Sequence, residues 1–148
     1  MWDTKGIREP LKRAVRLLKE AGFRGRKIIV YCLYNFSDNP ENFLERIKDL
    51  LVWGVVAYPM RYEPLEPRQK NTYVSPNWTA EELEMIAKAR SVIGYGGAFP
   101  PYEGLKKKVL GAKSFREAFS LRPPHRGGNR DTSYFLTAKP KLEVNLRK

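Results

Sequence analysis

The apolar positions of this chain change their period twice between Ile28 and Leu65. From Ile28 to about Phe36 they are nearly continuous, β-branched and aromatic, which predicts a strand. Phe43, Leu44, Ile47, Leu50 and Leu51 then follow the i, i+3, i+4, i+7 spacing of one buried helical face. Val55 to Tyr62 returns to a strand-like run. The polar turn Ser37-Asp38-Asn39-Pro40 separates the first strand from the helix. Asn39 suits the N-cap, and Pro40 suits the first helical position, where its missing N–H would have no partner. Gly54 ends the helix. A helix of this length between two apolar strands predicts a βαβ unit, with parallel strands and a right-handed crossover.

The flanks read as helical. Pro10 opens a helix with Leu11, Ala14, Val15, Leu18 and Ala21 on one face and Lys12, Arg13, Arg16 and Lys19 mostly on the other. Gly22 is its stop, and Phe23 folds back on the last turn. Residues 63–77 form a Pro-rich loop. Thr79 then caps a helix, Glu82 completes a capping box, and Trp78 with Leu83 forms a hydrophobic staple. Leu83, Ile86, Ala87 and Met85 supply its buried face. Gly94, Gly96 and Gly97 are read as a tight turn packed by Tyr95, Phe99 and Tyr102, because no Gly-Lys-Ser/Thr follows and Pro100-Pro101 interrupts any helix. Two short helices are expected, from Tyr102 to about Leu110 and from Ser114 to Leu121, the second burying Phe115, Ala118 and Phe119. After Leu121 the chain is basic and rich in Pro and Gly. Only Tyr134-Phe-Leu-Thr and Leu142-Glu-Val-Asn-Leu alternate weakly there, which fits either a late strand or loose chain.

Composition changes this picture in two respects. The formal net charge is +12 over 148 residues, and it is uneven: +6 up to Lys27, −2 from Ile28 to Tyr102 and +8 beyond. A neutral core with basic flanks fits either solvated surface charge or phosphate contacts with nucleic acid, through Arg24, Arg26, Lys27, Lys106, Lys107, Lys108 and the tail. The single cysteine, Cys32, excludes a disulfide framework within the chain and any cluster held by three of its own cysteines. No run of about 18 apolar residues marks a membrane span, and the N-terminal segment has no apolar signal region. A cytoplasmic, non-membrane protein is the expectation.

Candidate chemistry is sparse. Cys32 lies inside the first strand, where a free cysteine is usually a small buried hydrophobe. A nucleophile needs a lowered pKa and a nearby base, and His125, the only histidine, is in the tail. One Cys and one His make at most half of a zinc site. Asp38 sits where strand passes to helix, at the carboxyl edge on which parallel α/β folds place their ligands. It is either a turn residue favoured by the helix dipole or a ligand contact. The same two readings apply to Arg61 and Tyr62 at the end of the second strand. With Asn35, these are the residues that would line a pocket.

The stretch Tyr34-Asn35-Phe36-Ser37-Asp38-Asn39-Pro40-Glu41 resembles the turn after the fifth strand of radical S-adenosylmethionine (radical SAM) enzymes, a hydrophobic run followed by a Gly-Phe-Pro-Gly-Glu-Thr-like turn and an acidic helix start. Asp38 takes the acidic position and Asn39 the Thr position. GVVAYPMRYEPL resembles the sixth strand of that family, and LLKEAGFRGRKIIVY its preceding helix and lead-in. The likeness covers roughly residues 3–66. Tyr34 and Ser37 stand where small residues are usual, and the Cys-x3-Cys-x2-Cys motif of the cluster is missing.

The resemblance implies an α/β fold: a partial parallel βαβ piece of a TIM-like barrel over residues 1–66, a helical extension over 67–121 and a basic tail over 122–148. It implies a chain that is not catalytic alone. A partner would carry the [4Fe-4S] cluster and reductively cleave S-adenosylmethionine to a 5′-deoxyadenosyl radical, with Asn35, Asp38, Arg61 and Tyr62 on the cofactor side. Two strands rich in apolar residues expect cover on both faces and neighbours at both edges. A second polypeptide completing the sheet, self-association, or the remnant of a disrupted enzyme each fits. The alternative is a non-enzymatic basic module that binds nucleic acid or an acidic protein.

Overall fold

The computed structural model describes residues 5–65, 72–93 and 103–121. The glycine-rich turn at 94–97 and the tail segments at 134–137 and 142–146 lie outside the described residues. A turn of 3-10 helix at Lys5–Ile7 leads into α1 (Arg8–Glu20); then follow β1 (Ile29–Tyr34), α2 (Pro40–Val52), β2 (Val56–Arg61), α3 (Ala80–Ile93), α4 (Glu103–Gly111) and α5 (Phe115–Phe119).

The βαβ unit is present. β1 and β2 pair in parallel, from Ile29 opposite Val56 to Tyr34 opposite Arg61. The strands are a residue or two shorter at each end than their apolar runs. Asn39 caps α2, its side-chain oxygen accepting the Asn42 N–H at 2.9 Å, and Pro40 occupies the first turn. Gly54 turns the chain out of the helix at φ +69°, a conformation that costs glycine little. The Gly54 and Val55 N–H groups there donate to the carbonyls of Leu51 and Leu50.

Among the described residues the helices pack on one side of the sheet. Phe43, Leu44, Ile47, Leu50 and Leu51 of α2 are buried, as are Val30, Cys32, Tyr34, Ala57 and Pro59 of the strands. α4 and α5 pack against α2, and α3 packs against α5. These helices thicken the layer that α2 already forms. An aromatic cluster joins them to the βαβ unit. Tyr34, Phe43 and Trp78 meet at 5.2–6.0 Å between ring centroids, Trp78 meets Phe115 edge-on at 5.8 Å, and Phe115 stacks on Phe119 at 4.7 Å. The reciprocal capping box of Thr79 and Glu82 starts α3, with Trp78 and Leu83 both buried. Ala87 is exposed, and Ala89 takes the buried place expected of it. Ser114 caps α5 through the Glu117 N–H, and Phe115, Ala118 and Phe119 are buried as the pattern required.

α1 departs most from its pattern. It begins at Arg8, with Pro10 in the first turn, where a missing N–H breaks no helical bond. Of its apolar face only Val15 is buried. Leu11 is partly covered, while Ala14, Leu18 and Ala21 are exposed. Polar contacts to the other helix tie it down instead. Arg8 donates to both Asp49 oxygens at 2.7 and 2.9 Å, and Lys19 donates to the Trp53 carbonyl.

The other face of the sheet carries Ile29, Tyr31 and Leu33 from β1 and Val56, Tyr58 and Met60 from β2, because alternate residues point to opposite sides. Ile29 is 54% exposed, Tyr31 49% and Met60 39%, and the other three are half-buried. No polar side chain interrupts this face.

The lead into β1 depends on one close approach. A Cβ on Gly25 would fall 1.9 Å from the Gly54 carbonyl oxygen, a backbone atom that cannot swing aside. Gly25→Ala should therefore destabilise the chain by about 1–3 kcal/mol, the usual range for overpacking. Urea denaturation of the two proteins checks this, and an unchanged midpoint would contradict the approach of the 25 and 54 turns.

Candidate functional site at the carboxyl edge of the sheet

Asp38 and Asn35 lie at the carboxyl edge and are both buried. Asp38 pairs through Oδ2 with Nη2 of Arg46. Its Oδ1 accepts the Phe36 N–H at 3.1 Å and the Trp78 indole N–H at 3.0 Å. Arg46 in turn donates to the Leu33 carbonyl at 2.8 Å and the Asn42 carbonyl at 3.3 Å. One carboxylate therefore ties together the end of β1, the middle of α2 and the residue before the α3 cap. Both of its oxygens are engaged inside the chain.

Asn35 is in the left-handed region at φ 65°, which asparagine tolerates better than most residues. Its amide nitrogen donates to the carbonyls of Tyr62 (3.2 Å) and Tyr73 (2.9 Å), and its oxygen accepts the Ser75 N–H at 2.8 Å. Arg61 donates to the same Tyr73 carbonyl at 2.8 Å. Tyr62, half-buried, sets its ring 4.6 Å from Phe36 and 5.8 Å from Tyr73. The four residues named from the sequence thus surround one edge. Asn35 and Asp38 shape it from within, and Arg61 and Tyr62 are half-exposed. Oγ of Ser75 and Oε1 of Glu63 are buried and have no hydrogen-bond partner among the described residues.

Sequence reasoning missed Arg46, Tyr73 and Ser75. Arg46 carried a signal: it stands three residues after Phe43 and four before Leu50, within the apolar stripe, where a charge needs a partner. Trp78 was assigned to a staple, with no sign that its indole N–H would reach a carboxylate forty residues away. Nothing local marks Tyr73 or Ser75.

Cys32 is fully buried under α2. Burial pushes its thiol from the ordinary 9.0 up to about 12; Arg46 pulls the other way, and Asp38 adds slightly to the rise. It is a protonated core residue at neutral pH. Among the described residues no group of three or more His, Cys, Asp or Glu side chains is placed to hold a metal ion.

The basic residues named for a nucleic-acid surface do not form one class. Arg24, Arg26, Lys27 and Lys107 are exposed; Lys106 is half-buried, and Lys108 donates to the Ser120 carbonyl. Among the described residues no helix is long and apolar enough to cross a membrane. No protein-family model matches this chain, and neither a curated protein nor a solved structure matches it.

Two outcomes are expected. Asp38→Ala strands the Arg46 charge in the core and should cost about 3–5 kcal/mol. The double change Asp38→Leu with Arg46→Leu should recover much of that loss in the same denaturant titration. Cys32 should resist a thiol reagent at pH 8 until the chain unfolds. Because its folded pKa lies above the unfolded value, the folded state holds the proton more tightly. That stabilisation is complete below about pH 9 and is lost as pH rises through about 12. Fast labelling of native protein would contradict this burial.

Proposed function

We propose that this chain is a non-catalytic, radical SAM-like subunit, one part of a larger α/β barrel completed by a polypeptide that carries the cluster. The observation that supports this most directly is the one-sided sheet. A parallel pair with helices on one face and uninterrupted apolar side chains on the other has the layout of a barrel wall, whose inner face meets further strands. An open doubly wound sheet would place helices on both faces. The turn from Tyr34 to Glu41, on which the family resemblance rests, lies at the carboxyl edge of that wall.

The residues present do not fit an iron–sulfur cluster. Three thiolates are needed, and the chain has one cysteine, buried and protonated. They fit one side of an S-adenosylmethionine site. The Phe36–Tyr62 ring pair offers an apolar surface, Arg61 a cation, and Ser75 Oγ and Glu63 Oε1 polar atoms without partners among the described residues. Asn35 and Asp38 act on this reading by fixing the edge, since their own polar atoms are already engaged. The bound cofactor would supply reductive sulfonium cleavage, with the electron coming from the partner's cluster. The second reading, a basic nucleic-acid module, draws on the net charge of +12 and the exposed Arg24, Arg26 and Lys27.

An anaerobic affinity purification of the tagged chain from its native host, with partners identified by mass spectrometry, separates the two. A partner bearing Cys-x3-Cys-x2-Cys is expected. In the reconstituted pair Arg61→Ala should lower the affinity for S-adenosylmethionine by about tenfold, roughly 1.4 kcal/mol. Recovery of the chain alone, or of nucleic acid released by salt, would sink the subunit reading.

A further inference from the structure

The two edges of the sheet are not equivalent. The Val56 N–H donates to the Ile28 carbonyl at 3.0 Å, and the Tyr62 N–H donates to the Tyr34 carbonyl at 2.8 Å. Backbone groups alternate in direction along a strand, so Tyr58 and Met60 also face β1, while Ala57, Pro59 and Arg61 face outward. Pro59 therefore removes a donor from the middle of the outer edge of β2, and its ring is fully buried on the helix side. A proline at this position is a common block to strand addition. The outer edge of β1 has no such block. Ile29, Tyr31 and Leu33 direct their N–H groups outward, and no third strand pairs with them among the described residues. Among the described residues only the Leu33 carbonyl is taken, by Arg46. The side chains of the same three residues lie on the open apolar face.

We propose that the outer edge of β1, together with the open face of the sheet, is the docking site for a parallel strand of a different polypeptide. That strand is apolar and carries acidic residues near its start. This rests on the subunit reading above and names its surface. The direction follows from β1 itself: Ile-Val-Tyr-Cys-Leu-Tyr has no polar residue on either face, as is usual for a strand inside a parallel sheet. A second copy related by a two-fold axis would bring β1 against β1 antiparallel. It would also set two chains of +12 against each other. Stacking two copies through the open face alone covers a strip about 20 Å by 10 Å, well below the roughly 800 Å² per partner of a standard interface. The acidic requirement comes from Arg26 and Lys27, exposed just before β1.

The test is hydrogen exchange on the full chain, alone and in the complex purified from its host. In the free chain the amides of Ile29, Tyr31 and Leu33 should exchange fast, while those of Tyr58 and Met60 are protected. In the complex the first three should slow by at least tenfold. Ile29→Lys with Tyr31→Lys should abolish complex formation and keep the near-ultraviolet circular dichroism of the folded chain. Pro59→Ala should leave the complex unchanged. Should the double lysine variant unfold, Tyr31→Pro serves in its place, since the nitrogen it alters faces away from β2.

Protection of the β1 edge by a partner without cluster cysteines would uphold this docking site and overturn the radical SAM-like reading. A cluster-bearing partner that protects other residues would do the reverse. A chain that is monomeric in its host, forms a homodimer, recovers only nucleic acid, or already protects the three amides when free would overturn the proposal.

Discussion

The buried pair of Asp38 and Arg46 is the constraint on which the rest depends. Two charges removed from water cost several kcal/mol each, and their mutual attraction recovers this only if the remaining donors and acceptors are also satisfied. Here they are. The carboxylate takes a backbone N–H and an indole N–H besides the guanidinium, and the guanidinium takes two backbone carbonyls. Each of those partners belongs to a different part of the fold: the end of β1, the first turns of α2 and the entry to α3. The pair is weak evidence for net stability. It is strong evidence for register, because shifting any of these segments by one residue leaves a charge or a donor unpaired in the core.

Around this pair the aromatic rings provide the apolar part of the same joint. Trp78 packs against Tyr34, Phe43 and Phe115 while its N–H reaches Asp38. The helical extension is thereby fixed to the βαβ unit by one side chain that is apolar on its faces and polar at its tip. Glu41, in the first turn of α2, accepts the Phe115 N–H at the start of α5, and Lys48 donates to the Ala112 carbonyl. These contacts hold α4 and α5 on the helical side. On the opposite face Ile29, Tyr31 and Met60 are exposed.

That asymmetry links fold to function. Apolar side chains on both faces of a parallel pair are the pattern of strands covered on both sides. Burying a tyrosine or isoleucine is worth about 1.5–3 kcal/mol, and this face leaves six apolar residues only partly covered. Ser75 Oγ and Glu63 Oε1 are buried without a hydrogen-bond partner among the described residues.

Local chemistry made much of this legible. The βαβ order, the Asn39 cap, the Gly54 exit, the Thr79–Glu82 capping box and the buried face of α5 all follow from residues within one or two turns of each other, so their spacing carries the information. The α1 face was misread because periodicity reports only that a stripe exists. Whether a neighbour covers it depends on Arg8 and Lys19 reaching Asp49 and Trp53, at separations of 41 and 34 residues. The sequence by itself determined which segments are strands and helices, that the strands run parallel, and that no cluster of three cysteines can form here. Only the tertiary structure decided that the described helices lie on one face of the sheet, that Asp38 faces Arg46 and Trp78, and that Pro59 falls on the outer side of β2. Those outcomes depend on pairings between distant residues, where burial and hydrogen-bond satisfaction are settled by the whole fold.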